Sequence, residues 1–211
     1  MKITKLGHCC LLIEDGGKTI LTDPGNYSDT QNTIKGIDIV VITHEHGDHL
    51  HVDSLKAVLG NNLDATVVCN SAVGRILDKE GIKYQVIEGI GTAVVKDVAI
   101  EACDGRHEEI FEEIGQVQNT GYMLMDRLYY PGDSFTAPQK QIEILALPVG
   151  GPWCKLPDAL HFMLRVMPKK VFPVHDGMLK SAGMLPLLKD AVFGKHNIEL
   201  VMMGPGDSND F

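Results

Sequence analysis

Four residues within six positions set the chemistry open to this chain: His44, His46, Asp48 and His49, in the stretch Thr43-His44-Glu45-His46-Gly47-Asp48-His49. Three imidazoles and a carboxylate supply nitrogen and oxygen donors that suit zinc, iron, manganese or nickel, without the thiolates expected of a purely structural zinc site. The stretch directly follows Ile39-Val40-Val41-Ile42, an apolar run that reads as a fully buried strand. Apolar residues at helical spacing follow it. Donors on a strand-to-helix turn can converge on one spot while a rigid element anchors them. The plainer reading is a polar loop that happens to carry histidines. The density of donors just past a buried strand argues against it.

The elements that must position these residues alternate along the chain. Strand-like runs cover 2–6, 9–14 and 18–21, the last two separated by Asp15-Gly16-Gly17, a hairpin signal. A polar loop, 24–33, precedes the buried strand at 38–43. Val52, Leu55, Val58 and Leu59 then recur at helical spacing, with Gly60 as a stop. A strand at 66–69 leads to a helix over 72–80, capped by Asn70 or Ser71 and stopped by Gly81. Further strands are expected at 84–87, 92–95, 98–103, 122–125, 127–130, 144–147, 171–174 and 198–202, with helices near 158–166 and 185–193. Antiparallel runs mixed with βα units point to an α/β layered domain.

The histidine cluster resembles the H-x-H-x-D-H signature of the metallo-β-lactamase superfamily, and the resemblance extends along nearly the whole chain. Leu21-Thr22-Asp23-Pro24 is similar to the family's strand ending in Asp, and Asp104-Gly105-Arg106-His107 lies where its third histidine is expected. Tyr130-Pro131-Gly132-Asp133-Ser134 resembles its G-D-[ST] element, and Phe172-Pro173-Val174-His175 its last histidine. The resemblance implies a four-layer αββα sandwich, with mixed sheets and helices on the outer faces. It would form one metallo-hydrolase domain over 1–203, followed by a frayed polar tail, 204–211. It further implies one metal held by His44, His46 and His107, a second held by Asp48, His49 and His175, and Asp133 bridging both. Two divalent ions roughly 3.5–4 Å apart can share a hydroxide, and a single zinc already lowers the pKa of water from 15.7 to roughly 7. Asp48 is suited to orient that hydroxide or carry a proton to the leaving group. Zinc is the expected metal, with manganese, iron or nickel as alternatives.

Other residues frame the cluster. Asp23 reads as an acceptor that fixes the tautomer of a ligand imidazole, against a simple turn cap. His8, in Leu6-Gly7-His8-Cys9, resembles a G-H-[SA] element and either approaches the site or packs in the core. Leu147-Pro148-Val149-Gly150-Gly151-Pro152-Trp153 resembles the P-[IV]-G-G loop of a branch that includes ascorbate-phosphate lactonase-like proteins. That loop can approach a ligand closely, so Trp153 and Lys155 would line the pocket, Lys155 meeting an anion. Tyr27 reads as another rim residue. His51, His161 and His196 read as surface or packing residues, and Cys154 as a thiol without a base to activate it.

Charge and composition narrow the function. Two divalent ions bring four positive charges, against two from Asp48 and Asp133 and one from hydroxide, so a small anionic ester, lactone or phosphoester is the expected substrate. The chain carries a formal net charge of −9, which argues against nucleic acid as a partner. Five cysteines without paired spacing read as reduced thiols in a cytoplasm. No apolar run approaches the ~20 residues of a membrane helix. A homo-oligomer is compatible with the sequence. Two alternatives stay open: an iron-dependent oxidoreductase of the sulfur dioxygenase type on the same scaffold, and a metal-binding protein without turnover.

Overall fold

The run Ile39–Ile42 is buried at every position, so its strand must be covered on both faces. The computed structural model, which describes residues 1–181 and 183–211, meets that requirement with four layers. The first half of the chain supplies β1 (Lys2–Gly7), β2 (Cys10–Asp15), β3 (Lys18–Thr22), β4 (Ile39–Ile42), α1 (Val52–Asn61), β5 (Thr66–Cys69), α2 (Ser71–Lys79) and β6 (Gln85–Val86). The second half supplies β7 (Thr92–Val95), β8 (Val98–Arg106), β9 (Gln118–Leu124), β10 (Leu128–Tyr130), β11 (Ile144–Pro148), α3 (Leu156–Val166), β12 (Lys170–Val174), β13 (Glu199–Leu200) and β14 (Ser208–Asp210).

The two sheets follow one plan. In the first, with order β14-β1-β2-β3-β4-β5-β6, antiparallel pairing of β1, β2 and β3 gives way to parallel pairing from β3 to β6. In the second, with order β13-β12-β11-β10-β9-β8-β7, β7 to β10 are antiparallel and β10 to β13 parallel. The period-2 alternation of each strand then distributes its apolar residues between two cores. Along β4, Ile39 and Val41 join Tyr130, Ile144 and Phe172 between the sheets, while Val40 and Ile42 meet Leu55 and Val58 of α1 and Val73 and Leu77 of α2. Along β11, Ile144 and Ala146 face inward, and Leu145 and Leu147 pack on Ala159, Phe162 and Met163 of α3. This is the expected αββα sandwich.

Two local expectations fail. The tail 204–211 does not fray: Ser208–Asp210 pairs with β1, with Lys2 opposite Asp210 and Thr4 opposite Ser208, and the Phe211 ring lies 5.3 Å from that of Phe172. The open edge of β1 offers unpaired amides and carbonyls, which gives this polar segment a partner. The regular helix expected at 185–193 is instead a succession of short turns, Leu185–Leu188, Lys189–Phe193 and Gly194–His196. Only Leu185 and Phe193 in it are fully buried, so no continuous apolar stripe holds it to the sheet.

Phe172 is fully buried between the sheets. Phe172→Ala is expected to lower unfolding free energy by about 3–5 kcal/mol, measured by denaturant titration.

Candidate metal centre

The H-x-H-x-D-H loop takes its shape from what it leans on. As β4 ends, the Thr43 amide and hydroxyl donate to the two Asp23 oxygens, each at 2.8 Å. Asp23 follows β3 with a left-handed φ of 35°, a conformation Asp tolerates better than most side chains. The Pro24–Asn26 strap then lies across the loop: Asn26 N donates to Gly47 O (3.0 Å) and His51 N to Pro24 O (3.2 Å). Position 25 must be glycine, since a Cβ there would sit 1.8 Å from Asp48 O.

The second sheet brings the remaining donors to the same edge. His107 follows β8, and its amide donates to Val117 O at 3.0 Å. Asp133 follows β10 through Gly132, at φ 63°, where a Cβ would come within 2.8 Å of Thr43 Cβ. Asn119 locks that turn, accepting from Asp133 N (2.9 Å) and donating to Pro131 O (2.8 Å). His175 follows β12 with φ 56°.

These residues converge. His175 Nε2 lies 2.9 Å and His107 Nε2 3.2 Å from Asp133 Oδ2, and His49 Nε2 lies 3.1 Å from Asp133 Oδ1. His44 Nε2 is 3.9 Å from Asp133 Oδ2 and 3.2 Å from His46 Nδ1, and Asp48 Oδ2 is 3.5 Å from His175 Nε2. Three groups of ligand atoms form among the described residues, each within 4.8 Å of one another: His44 with His46 and His107, Asp48 with His49, Asp133 and His175, and, overlapping the second, His8 and Cys9 with His49 and His175.

Hydrogen bonds on the far side of the rings set which nitrogen faces inward. His49 Nδ1 donates to Asp23 Oδ2 at 2.7 Å, and His175 Nδ1 to Gly150 O at 2.7 Å. His107 Nδ1 donates to Glu108 O. Each Nε2 is thereby left to the centre, the arrangement that fixes the tautomer of metal-bound histidine.

Charge follows the same pattern. Burial alone would raise the Asp133 carboxyl, but His49 and His175 beside it, and a hydrogen bond with His107, hold it well below the carboxylate range. Asp48 is likewise depressed against its burial, by the neighbouring His175 ring and by its hydrogen bond with His8. Burial and neighbouring rings push His44 and His46 down, so both are neutral donors. His49 is pushed well up, its burial overcome chiefly by Asp133. Burial opposes charge on His175 as well, but the Cys9 sulfur, Asp133 and Asp48 raise it to about 11.

Among the described residues, five buried side-chain polar atoms lack a hydrogen-bond partner, and three of them are His49 Nε2, His175 Nε2 and Asp133 Oδ1. An unmet buried polar atom costs about 1–3 kcal/mol. Three of them pointing at one spot fit a bound cation, and the nitrogen and oxygen donor set suits a divalent ion.

The flanking residues divide. Asp23 reaches His49 and also accepts from Tyr130 Oη at 2.6 Å. His8 Nδ1 accepts from Gly177 N (3.0 Å), which leaves its Nε2 proton for Asp48 Oδ2 at 3.2 Å. Tyr27 stacks on the His8 ring, centroids 4.6 Å apart. Trp153 is buried, its ring 5.6 Å from His107 and 5.2 Å from His175, packed edge-on against both. The glycine pair before it comes equally close: a Cβ on Gly151 would meet the His175 ring at 3.0 Å. Lys155 is the exception, exposed at the start of α3 and, among the described residues, without a hydrogen bond or ion pair to the cluster. His51 turns away to Ser54 Oγ at 3.0 Å. A cavity of about 500 Å³ opens behind His8, lined by Tyr27, Leu179, Met202, Asp176 and Asp207. Sequence reasoning missed Asn119 and the roles of Tyr130 and Gly25. Gly25 alone left a trace, as the glycine following Asp23-Pro24.

Two mixed sheets between helices, with histidines and aspartates gathered at one edge, define a metallo-β-lactamase fold. A family model described as "Beta-lactamase superfamily domain" matches residues 2–175, and the chain belongs to that family. It is similar to Protein Rv0786c of Mycobacterium tuberculosis, 30% identical over 184 residues, covering 85% of each chain. It is similar also to a UPF0173 metal-dependent hydrolase of Archaeoglobus fulgidus, 28% identical over 233 residues, covering 100% of this chain and 99% of that one. Among solved structures, a metallo hydrolase from the archaeon Ignicoccus hospitalis superposes with a TM-score of 0.75 at 21% identity, covering 100% of this chain and 98% of that one. Within the superfamily the chain falls in the metal-dependent hydrolase branch.

Cys154 is no competing nucleophile. Burial, reinforced by Asp133, pushes its thiol up to about 12, so it stays protonated at neutral pH. Native protein at pH 8 should resist iodoacetamide at Cys154 by mass spectrometry, and Cys154→Ser should keep wild-type metal content. By contrast, Asp23→Asn should weaken metal binding about 10–100-fold, read by competition with a chelating indicator.

Proposed function

We propose that this metal-dependent hydrolase works with two divalent ions on a small anionic ester, lactone or phosphoester. The observation that carries the reading is the convergence of His49 Nε2, His175 Nε2 and Asp133 Oδ1 as buried atoms without a protein hydrogen bond. His44, His46 and His107 would hold one ion, Asp48, His49 and His175 the other, and Asp133 would serve both. Zinc is the ion we favour for this donor set. Bound there, the ions supply Lewis acidity, lowering the pKa of water and polarising a carbonyl or phosphoryl oxygen.

The chain's own residues supply the rest. Asp48 is the carboxylate of the centre that reaches solvent, its side chain 21% exposed against 2% for Asp133. It is therefore placed to orient the attacking water and pass its proton to the leaving group. The hydrogen bond from His8 Nε2 holds Asp48 in that pose. Trp153, edge-on to both rings, would limit the turning of His107 and His175, and the Gly150-Gly151 pair packs close on His175. Since Lys155 lies away from the centre, attraction for an anion comes from the ions themselves. The cavity behind His8 takes the remainder of the substrate; its Tyr27, Leu179 and Met202 suit an apolar group, and Asp176 and Asp207 disfavour a second negative charge.

No described helix is long and apolar enough to cross a membrane, and all five cysteines are free thiols, which fits our cytoplasmic assignment. The test is elemental analysis of protein purified without added metal, joined to an ester, lactone and phosphoester screen. We expect about two ions per chain, activity lost to a chelator and restored by zinc, and a fall of about 10²–10⁴ in kcat for Asp48→Ala. Hydrolysis that survives Asp48→Ala or exhaustive chelation would refute the mechanism.

A further inference from the structure

Lys5 has no exposed surface. It lies on the face of β1 that also carries Ile3, turned toward the slab between the sheets. An ammonium there is tolerated only if its protons are matched by acceptors. A lysine has three, and three acceptors surround it: Asp176 Oδ2 at 2.7 Å, Pro173 O at 2.9 Å and Met203 O at 3.3 Å. Pro173 belongs to β12 in the opposite sheet, two residues before His175, and Asp176 comes one residue after it. The ammonium thus grips the His175 turn on both sides, from the other sheet.

That turn needs gripping. His175 has a left-handed φ of 56°, a conformation a non-glycine residue keeps only when its surroundings impose it. The backbone is further tied by His175 N to His8 O at 3.2 Å and Gly177 N to His8 Nδ1 at 3.0 Å. His8 follows β1 only three residues after Lys5. One short stretch of the first sheet, Lys5 to His8, therefore contacts this turn at Pro173, His175, Asp176 and Gly177. None of the acceptors of Lys5 belongs to the segments that carry His44, His46 or His107.

We propose that Lys5 is a positioning residue whose buried ammonium aims His175 at the centre, so that the metal position of Asp48, His49 and His175 depends on it and that of His44, His46 and His107 does not. This rests on the two-metal reading above. The test is titration of metal-free protein with Co(II), following visible absorption and stoichiometry, for wild type, Lys5→Met, Asp176→Ala and His175→Ala. Lys5→Met should bind one ion with wild-type affinity and the second about 10–100-fold more weakly, as loss of a supporting contact does at metal sites. Its spectrum at one equivalent should match wild type and differ at two. Asp176→Ala, which leaves the ammonium two carbonyl acceptors, should weaken the second ion several-fold and carries the test if Lys5→Met does not fold. Equal weakening of both ions, or of neither, overturns the proposal. If His175→Ala binds as many ions as wild type, the two-metal reading fails, and the role of Lys5 with it.

Discussion

The Asp23 carboxylate joins the two halves of this molecule at the place where they must agree. It has no exposed surface, and it is met by the Thr43 amide and hydroxyl, by His49 Nδ1 and by Tyr130 Oη. Thr43 directly follows β4 of the first sheet and Tyr130 ends β10 of the second. A buried carboxylate left without these donors would bear an uncompensated desolvation cost. The sheets are therefore held in one register at the edge where the metal-ligating side chains gather. Through His49, the same carboxylate also decides which imidazole nitrogen faces the centre. Fold and site share one hydrogen-bond network, so neither is adjustable without the other.

The division of labour between halves follows from their common plan. Each sheet passes from antiparallel to parallel pairing, and each delivers its polar residues just beyond strand ends. The first half contributes a contiguous loop, His44 to His49. The second contributes single residues, His107, Asp133 and His175, from the ends of three strands. Tight turns are the way to bring such separate residues to one point, and left-handed backbone collects here: His8, Asp23, Gly132 and His175 all have φ between 35° and 63°. Each such turn is less favourable alone. Packing across the sheets over-determines them together, as strained positions require.

How far this was legible in the sequence depended on the kind of signal. The buried strand at Ile39–Ile42 announced itself because both its faces are apolar, and the dense donor loop after it had no plausible structural purpose. His107, Asp133 and His175 became readable only through their order relative to strands, since single residues carry no periodicity. Asn119 was silent for a related reason: an asparagine in a strand looks the same whether it faces water or locks the turn after the neighbouring strand. Lys5 gave no signal, because a lysine in an alternating strand carries nothing that distinguishes a buried ammonium from a solvated one. The polar segment Ser208–Asp210 read as fraying because edge pairing draws on the neighbour's free amides rather than on strand propensity. Lys155 read as a pocket residue from its closeness to Trp153 in sequence, but α3 begins there and carries it outward to solvent.

These placements bear on how an acidic chain would attract an anion. With a formal net charge of −9, its long-range field repels negative molecules. The one buried lysine near the centre is committed to Asp176 and two carbonyls, and Lys155 stands in solvent. Asp48 and Asp133 are held ionised by the imidazoles around them, so the centre offers no cation of its own beyond the imidazoles that balance these carboxylates. On the reading proposed above, attraction for an anion would arise from the ions that the centre collects. On the function proposed above, selectivity would divide accordingly: bound ions would draw the reacting anionic group, while the cavity of Tyr27, Leu179 and Met202, rimmed by Asp176 and Asp207, would favour whatever on the substrate is apolar and uncharged.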